Sequence, residues 1–283
     1  MAKLVVVTHE FDSFLYHPQD DPTRLASNYL LFDVLRHLNG MGHSSVVTRG
    51  LRIAEGDVAL LHVDATYVDE DYVALGKEYG RAINFETADI SKRRISSLLL
   101  SKNDEWRGPV VVKSNRNCQA FPEALHNDIA VRRGRPLPHP GVERSGPYRV
   151  LDRMSEVEEA VWSDENLVVE RFIPEMDEAG GYAIRTWVFM GKRERCTRTV
   201  NRGWIVKAAG AIKYEPVPVP EELRIIRDRL KFQFGKFDFV IHNGAPVLLD
   251  ANRTPGTAPA IEQLMKSGAR NLAEGLDEML RQG

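Results

Sequence analysis

The sequence predicts a mixed α/β protein in which two styles of architecture follow one another along the chain. In the amino-terminal third, short apolar runs alternate with amphipathic helices, which favours a doubly wound parallel sheet. In the carboxyl-terminal half, strands follow one another around tight turns, which is typical of antiparallel sheets in the α+β class. The 283 residues are enough for one large domain or for two to three small ones.

The first elements follow the alternating pattern. Lys3–Thr8 is a run of β-branched residues typical of a buried parallel strand, and the helix after it ends at Asn39-Gly40. Further elements are predicted at Ser45–Thr48 (strand), Val58–Val63 (strand), 69–80 (helix) and Ala82–Asn84 (strand). The chain has no G-x-G-x-x-G motif, so a dinucleotide fingerprint is absent.

The regular alternation of strand and helix ends at about Ala88. The predicted elements are a helix at Ser91–Leu100, strands at Gly108–Lys113 and Leu167–Ile173, a hairpin of Ala183–Met190 with Glu194–Val200, and a helix at Glu221–Phe234. Residues 126–149 are rich in Arg, Pro and Gly, and the sequence does not decide between a strand and a loop there. We therefore predict a first unit of residues 1–88, followed by a region of different architecture.

Composition and charge narrow the class of protein. The chain is 43% hydrophobic and 28% charged with a formal net charge of −2, so neither nucleic acid nor a membrane is expected as its partner. It has no apolar run of transmembrane length and does not begin like a signal peptide. Its two cysteines form no CxxC pattern. These features predict a cytoplasmic protein with free thiols.

The most informative segment is a predicted hairpin near the carboxyl terminus. Two apolar strands, Phe237–Ile241 and Pro246–Leu249, flank the dipeptide Asn243-Gly244, the strongest short-range signal for a β-hairpin. A three-residue loop would place Asp238 opposite Asp250, whereas a two-residue loop would place it opposite Leu249.

This hairpin carries polar side chains that suit a metal ion. Asp250 and Asn252 are two residues apart and so project from the same face of a strand. Two carboxylates and an amide oxygen are hard donors that suit Mg²⁺ held together with substrate phosphates. Asp238, Asp250 and Asn252 are therefore the predicted metal ligands; the alternative is a hairpin whose acids face water.

The same residues carry a resemblance to a known family. Asp238, Asp250, Asn252 and the following Pro255-Gly256 resemble the metal-binding end of the ATP-grasp fold, nearest to ribosomal-protein glutamate ligases and glutathione synthetases. The usual pattern has Glu where this chain has Asp250. The resemblance covers about residues 82–260. It implies a pre-ATP-grasp substrate domain at 1–88, a small ATP-grasp lobe at 89–170 and a large lobe at 171–283.

The resemblance also implies a nucleotide site. Lys92, at the start of a helix, and Lys113, at the end of an apolar strand, match its two phosphate-binding lysines; the alternative for Lys113 is a lysine that ends a strand in solvent. The strand with Glu170, Arg171, Phe172 and Ile173 resembles the hinge where adenine binds. The alternative is a buried core strand.

Other site residues follow from the same comparison. A carboxylate among Glu175, Asp177 and Glu178 is expected at the ribose, with Glu178 taken as the candidate. Arg185 matches an arginine near the transferred phosphoryl group, and Arg198 and Lys207 extend this cationic set. A solvated strand face is the alternative for each cation.

One departure concerns the loop after Lys113, where the family carries a glycine-rich segment. This chain has no glycine there, so Asn115 and Asn117 are expected to supply the turn conformations.

The predicted function is an ATP-dependent ligase with one or two Mg²⁺ ions that joins a small-molecule or peptide carboxylate to an amine through an acyl phosphate. The chain has no recognisable side-chain nucleophile. The alternatives are a small-molecule kinase with His9, His62 or Asp64 as base, and a catalytically silent nucleotide-binding protein. Substrate contacts are expected in the loops His9–His17 and His62–Thr66. The oligomeric state stays open, a homo-oligomer included.

Overall fold

The computed structural model describes residues 1–12, 29–206, 210–256 and 262–281, with the side chains of the last helix described from residue 268. Within this part of the chain the longer strands form three sheets, which follow one another along the sequence. The loop His9–His17, where substrate contacts were predicted, is described as far as Asp12.

The first sheet has four parallel strands in the order β2-β1-β3-β4, as the alternating pattern predicted. Its elements are β1 (Lys3–Thr8), α1 (Leu30–Gly40), β2 (Ser44–Arg49), β3 (Val58–Leu61), α2 (Glu70–Leu75) and β4 (Ala82–Ile83). The apolar side chains of β1 and β3 are fully buried because helices cover both faces of this sheet.

The second sheet has three antiparallel strands in the order β6-β5-β7. Its segment contains α3 (Lys92–Ile95), β5 (Val110–Ser114), α4 (Phe121–Arg132), β6 (Arg149–Leu151), α5 (Glu159–Ser163) and β7 (Leu167–Arg171). The predicted helix Ser91–Leu100 is wrong beyond its first turn, because Leu100 N–H instead donates to the Val169 carbonyl of β7. The undecided region 126–149 begins as the second half of α4.

The third sheet is antiparallel and has six strands, with the path β11-β10-β9-β12-β13 and β8 paired to β9. Its elements are β8 (Glu175–Met176), β9 (Tyr182–Met190), β10 (Arg193–Asn201), β11 (Lys213–Pro216), α6 (Glu221–Arg229), β12 (Phe234–His242), β13 (Ala245–Asn252) and α7 (Glu262–Arg281).

The two faces of the six-stranded sheet have different cores because side chains alternate along each strand. Val188 and Met190 of β9 pack with α7 and with α1, which joins this sheet to the amino-terminal sheet. Trp187 and Phe189 of the same strand point the other way, into an aromatic core with α6. This alternation therefore decides on which face of the sheet each charged residue of β9 and β12 lies.

Candidate active site

The predicted hairpin is present and contains an irregularity that decides which residues face each other. Its loop has two residues, Asn243 at φ 51° and Gly244 at φ 81°, as the twist of a tight hairpin favours. This loop alone would place Asp238 opposite Leu249. A β-bulge at Leu249 shifts the register, however, so that Asp238 lies opposite Asp250.

The bulge brings the predicted ligands to one face of the sheet. Asp238 pairs with Asp250 and Lys236 pairs with Asn252, so these four side chains project from the same side of β12 and β13. Thr186 of β9 lies on this side too, and its hydroxyl donates to Asp238 Oδ1 at 2.8 Å. Two carboxylates and an amide on one face are a donor set of the kind that Mg²⁺ prefers.

Three ammonium groups bind the carboxylates of this region. Lys92 Nζ contacts Asp250 Oδ1, and Lys236 Nζ lies 2.7 Å from Asp238 Oδ2. Lys113 Nζ lies 2.6 Å from Glu170 Oε2, whose side chain is only 1% exposed. We call this set the cleft-face cluster: Lys92, Lys113, Lys236, Glu170, Asp238 and Asp250.

Two members of the cleft-face cluster, Asp250 and Lys236, have pKa values that their neighbours shift towards the ionised form. Burial alone would raise the pKa of Asp250, but the ammonium groups of Lys92 and Lys236 outweigh it and hold this pKa below its ordinary value. Burial would lower the pKa of Lys236, yet Asp238 and Asp250 raise it above its ordinary value. The Lys236 ammonium is thus stabilised as a cation beside Asp238 and Asp250.

A cleft between the three-stranded and the six-stranded sheets gives access to this cluster. Its polar end is lined by Lys92, Lys113, Glu170, Asp238 and Asp250. Its other end is apolar and is lined by Leu98, Val111, Phe172, Ile173, Ile184, Trp204, Val240 and Leu249. A cleft that is apolar at one end and charged at the other suits a flat heterocycle attached to a polyphosphate.

The predicted hinge strand forms one wall of this cleft. Arg171, Phe172 and Ile173 all line it, next to Glu170. The backbone N–H of Arg171 donates to Leu98 and that of Phe172 donates to Pro109, at 3.0 Å each. The hinge strand is therefore anchored on its neighbours.

In the glycine-free loop after Lys113, the residues with left-handed backbones are not the predicted ones. Cys118, Gln119 and Ala120 all have left-handed backbones, with φ of 48°, 59° and 60°. Asn115 and Asn117 were expected to supply such conformations, and this expectation is wrong. Their polar groups serve tertiary contacts instead: Asn115 Oδ1 accepts the N–H of Arg93 at 3.0 Å, and Asn117 N–H donates to a threonine at 2.8 Å.

Comparison with solved structures returns matches over nearly the whole chain. An ATP-grasp RimK domain protein from Sphaerobacter thermophilus aligns over 97% of this chain and 99% of its own, with a TM-score of 0.54 and 14% identity. D-alanine–D-alanine ligase from Bacillus anthracis, complexed with ATP, aligns over 98% and 97%, with a TM-score of 0.52 and 15% identity. A RiPP-associated ATP-grasp ligase from Chryseobacterium gregarium, in complex with ADP and a leader and core peptide, aligns over 99% and 97%, with a TM-score of 0.52 and 11% identity.

The chain has the ATP-grasp fold. The resemblance seen in the hairpin residues is therefore confirmed at the level of architecture. No protein-family model and no curated protein matches the sequence. None of the helices in the described part of the chain combines the length and the apolar composition needed to cross a membrane.

Two of the predicted catalytic arginines lie on the wrong side of the ATP-grasp sheet for contact with the predicted metal ligands. Arg185 pairs in register with Phe239 and Arg198, whereas Asp238 pairs with Thr186, so the alternation sends Arg185 and Asp238 to opposite faces. Neither arginine lines the cleft. The expectation that they lie beside the carboxylates of the hairpin is therefore wrong.

Both arginines are bound in a second charged group on that opposite face. Arg185 donates to Glu175 from Nε and Nη2, and Arg198 Nε donates to the same carboxylate at 2.8 Å. Arg198 Nη1 lies 2.8 Å from both Asp177 and Glu215. We call this set the arginine cluster: Arg185, Arg198, Glu175, Asp177 and Glu215.

The other predicted residues have mixed positions. Glu178, the candidate for the ribose, is exposed and does not line the cleft, because it sits in the turn closed by the hydrogen bond from Asp177 N–H to Gly181. Lys207 lies outside the described residues. Lys92 and Lys113 both line the cleft of the ATP-grasp fold together with Asp250.

Two residues at this site were missed in the sequence. Lys236 stands two positions before Asp238, and the same alternation that grouped the ligands would have placed it on their face. Tyr148 lines the cleft, and burial together with the charge of Asp250 raises the pKa of its phenol. Tyr148 sits in the Arg-rich and Pro-rich segment, where no local pattern could have found it.

Beyond the hairpin, one arginine ties it to the amino-terminal sheet. Arg253 is completely buried, and its guanidinium donates to the backbone carbonyls of Val63, Ala65, Thr66 and Thr87. Burial lowers the pKa of Arg253 to about 10, so the group stays charged at neutral pH. The loop that contains residues 63–66 is thereby fixed to the end of the β12–β13 hairpin.

Thr66 continues this contact to α4 and to the loop after Lys113. Its N–H donates to Glu123 Oε1 at 2.7 Å, and its hydroxyl accepts the Asn117 N–H at 2.8 Å. Nearby, Thr254 Oγ1 lies 3.0 Å from Asn252 Oδ1 and 2.8 Å from Asp64. Asp64 of the predicted substrate loop is thus joined through one hydroxyl to a predicted metal ligand.

Proposed function

We propose that this protein is an ATP-dependent carboxylate–amine ligase that releases ADP and phosphate. The observation that carries the proposal is the cleft of the ATP-grasp fold, with its apolar hinge at one end and its cluster of lysines and paired aspartates at the other. Solved neighbours of the same fold support it, since they include proteins named as D-alanine–D-alanine ligase and RiPP-associated ATP-grasp ligase.

In this proposal the nucleotide lies along the cleft. Adenine packs against Phe172 and Ile173, and its edge meets backbone groups of Glu170 to Ile173 other than the N–H groups of Arg171 and Phe172, which already donate to Leu98 and Pro109. Lys92 and Lys113 bind the phosphates. Each ammonium now holds a single carboxylate, and a polyphosphate offers it a stronger anionic partner.

The paired aspartates would hold Mg²⁺. Asp238 and Asp250, with Asn252 on the same face, supply hard oxygen donors. Bound there together with the phosphates, Mg²⁺ supplies shielding of their negative charge. Lys92 and Lys236, which now occupy these carboxylates, would turn to the phosphate oxygens.

The reaction that fits these groups needs no protein nucleophile. A substrate carboxylate oxygen attacks the γ-phosphorus, the bond to the bridging oxygen breaks, and ADP leaves. The amine nitrogen then attacks the acyl carbon of the acyl phosphate, inorganic phosphate leaves, and the nitrogen loses one proton to give the amide. The lysines of the cleft-face cluster stabilise the charge on the transferred group.

The proposal extends to the units of the chain. Residues 1–88 would supply substrate contacts through residues 62–66, residues 89–170 the small lobe and residues 171–283 the large lobe. A peptide acceptor is supported by the solved neighbour that carries a leader and core peptide.

The test uses the purified full chain with Mg²⁺-ATP, pooled amino acids and peptides, and hydroxylamine as a trap. An acyl phosphate gives a hydroxamate that mass spectrometry identifies, together with one ADP for each product. The Asp250→Asn variant is the matched control and should form both products much more slowly at the same low Mg²⁺ concentration. A stable phosphomonoester would show a kinase instead, and ATP binding without ADP release would show a silent nucleotide-binding protein.

A further inference from the structure

Three histidines from separate parts of the chain meet at the border between the amino-terminal sheet and α4. His9 follows β1, His126 lies on α4, and His139 lies in the loop after it. Each offers a ring nitrogen within 4.8 Å of those of the other two. His9 and His126 are 5% and 2% exposed, whereas His139 is half-buried. Together they form a buried group of imidazoles with one side towards solvent.

We propose that His9, His126 and His139 bind one transition-metal ion of the Zn²⁺ class. Zn²⁺–nitrogen bonds of about 2.0–2.1 Å place two ligands of a tetrahedron about 3.3–3.4 Å apart. His126 Nδ1 and His139 Nε2 are 3.2 Å apart and already have nearly this separation. His139 leaves the fourth position open to water or to a small ligand.

The third ring must change its orientation to join the other two. His9 stacks on His126 with ring centroids 4.0 Å apart and an angle of 5° between the planes. Its Nδ1 accepts the N–H of Phe11 at 3.2 Å, a long contact that a metal ion would replace. The lone pairs of two parallel rings point in parallel directions, so the His9 ring must turn out of this stack for its nitrogen to face the ion held by His126 and His139.

The protonation state of the cluster suits metal binding. Burial lowers the pKa of His9 to about 3 and that of His126 to about 2, so both rings are neutral at neutral pH. Neutral imidazole is the form that ligates a metal. His126 and His139 can each present a lone pair to the ion by a change of tautomer, without net release of a proton.

The surrounding charges and contacts also favour a bound cation. Glu123 and Asp69 act to raise the pKa of His139 against the larger effect of burial, which means that negative charge faces the cluster. Arg116 acts in the opposite direction, but its Nη1 is 3.6 Å from Glu123. Glu123 is fully buried, and its Oε2 has no hydrogen-bond partner.

The scaffold that holds these rings is rigid. Asn127, next to His126, binds the loop of His139 from both ends of its amide: Oδ1 accepts the His139 N–H at 3.0 Å and Nδ2 donates to the His139 carbonyl at 2.7 Å. Phe11 packs on Ile129 and Ala130 of α4 and fixes the segment that carries His9. A metal ion would therefore join three segments that are already positioned.

The test is a metal titration of the full-length protein. Protein stripped with a chelator is placed in excess Mg²⁺, which saturates the carboxylate site, and is titrated with Co²⁺ and then with Zn²⁺. We expect one equivalent of Co²⁺ with the strong visible absorption of tetrahedral nitrogen coordination, displaced by Zn²⁺. The Asp250→Asn variant should behave in the same way, which separates this site from the hairpin and from the proposed ligase activity.

Variants of the cluster decide the assignment. His126→Asn and His139→Asn should each weaken Zn²⁺ binding by at least about tenfold, and Zn²⁺ should raise the melting temperature of the wild-type protein but not theirs. His37→Asn, at an exposed histidine of α1, is the control and should bind Zn²⁺ like the wild type. Because His139 is half-buried, His139→Asn is expected to fold, and it tests the proposal even if His126→Asn does not fold.

Two results would overturn the proposal. One is a wild-type protein that gives no tetrahedral Co²⁺ spectrum. The other is Zn²⁺ affinity in folded His139→Asn equal to that of His37→Asn. Either result would mean that the three rings only stack and hydrogen-bond to one another.

Discussion

The two charged clusters on opposite faces of the six-stranded sheet differ in how their cations are bound. In the arginine cluster, one carboxylate, Glu175, accepts bonds from Arg185, from Arg198 and from the Ile241 N–H. In the cleft-face cluster, each carboxylate contacts one ammonium group, as Asp250 contacts Lys92. Guanidinium forks in a closed network are rigid, whereas a single ammonium can exchange its partner. Closed pairing therefore indicates structure, and exchangeable pairing beside a cleft indicates ligand binding.

The largest effect is expected at the buried pair of Lys113 and Glu170. Lys113→Met leaves a carboxylate that is 1% exposed without its counter-ion. This should lower the free energy of unfolding by about 3–5 kcal/mol, measured by urea denaturation without nucleotide. The double variant Lys113→Met/Glu170→Gln should recover most of this loss. An unchanged denaturation midpoint in the single variant would contradict the pairing.

A smaller effect, on activity, is expected at the hairpin. Asp250→Asn removes one of the two facing carboxylates and should lower the apparent Mg²⁺ affinity in ATP turnover by about a hundredfold. Asp228→Asn, at an exposed side chain with 72% accessibility, is the control and should have no effect. Equal Mg²⁺ dependence in both variants would remove Asp250 from the metal site.

In the arginine cluster the loss should appear in stability and not in nucleotide binding. Arg198→Gln removes contacts with Glu175, Asp177 and Glu215 and should lower the free energy of unfolding by about 2 kcal/mol after allowance for solvent screening. ATP affinity, measured by calorimetric titration, should stay within about twofold of the wild type. A large loss of turnover at unchanged stability would instead restore the catalytic role that the sequence suggested.

The smallest effect is a pH dependence of the same cluster. Burial would raise the pKa of Glu175, but hydrogen bonds from Arg185 and Arg198 hold it below its ordinary value of 4.5. A lowered pKa adds stability that is fully present above 4.5 and is lost as pH falls through the folded-state value. Thermal unfolding below pH 4.5 should therefore show a steeper loss in the wild type than in Glu175→Gln. Parallel curves of melting temperature against pH for the two proteins would show that Arg185 and Arg198 do not lower the pKa of Glu175.

Local patterns in the sequence predicted the hairpin because its signals are local. Asn243-Gly244 specifies the turn, and the two-residue spacing places Asp250 and Asn252 on one face. The bulge at Leu249 was not predictable, because either loop length was compatible with the same residues. Two features, a short loop and a bulge, combine to give the pairing that a longer loop alone would have given.

The failure at Arg185 has a non-local cause. Whether Arg185 and Asp238 share a face depends on the register between β9 and β12, which are separated by about 50 residues of chain, and family likeness does not supply that register. The left-handed run at Cys118–Ala120 is similar. Intrinsic preference favours asparagine for such backbones, but tertiary hydrogen bonds of Asn115 and Asn117 hold those residues in other conformations.

The buried guanidinium of Arg253 couples residues 63–66 to the loop after Lys113 through Thr66. It holds the Thr66 carbonyl, while the Thr66 N–H and hydroxyl bind Glu123 of α4 and Asn117 of the loop after Lys113. A ligand that displaces residues 63–66 must therefore displace this loop as well. In the proposed ligase, acceptor binding at residues 63–66 and the conformation of this loop would share one coupling free energy, and each would change the equilibrium of the other by the same factor.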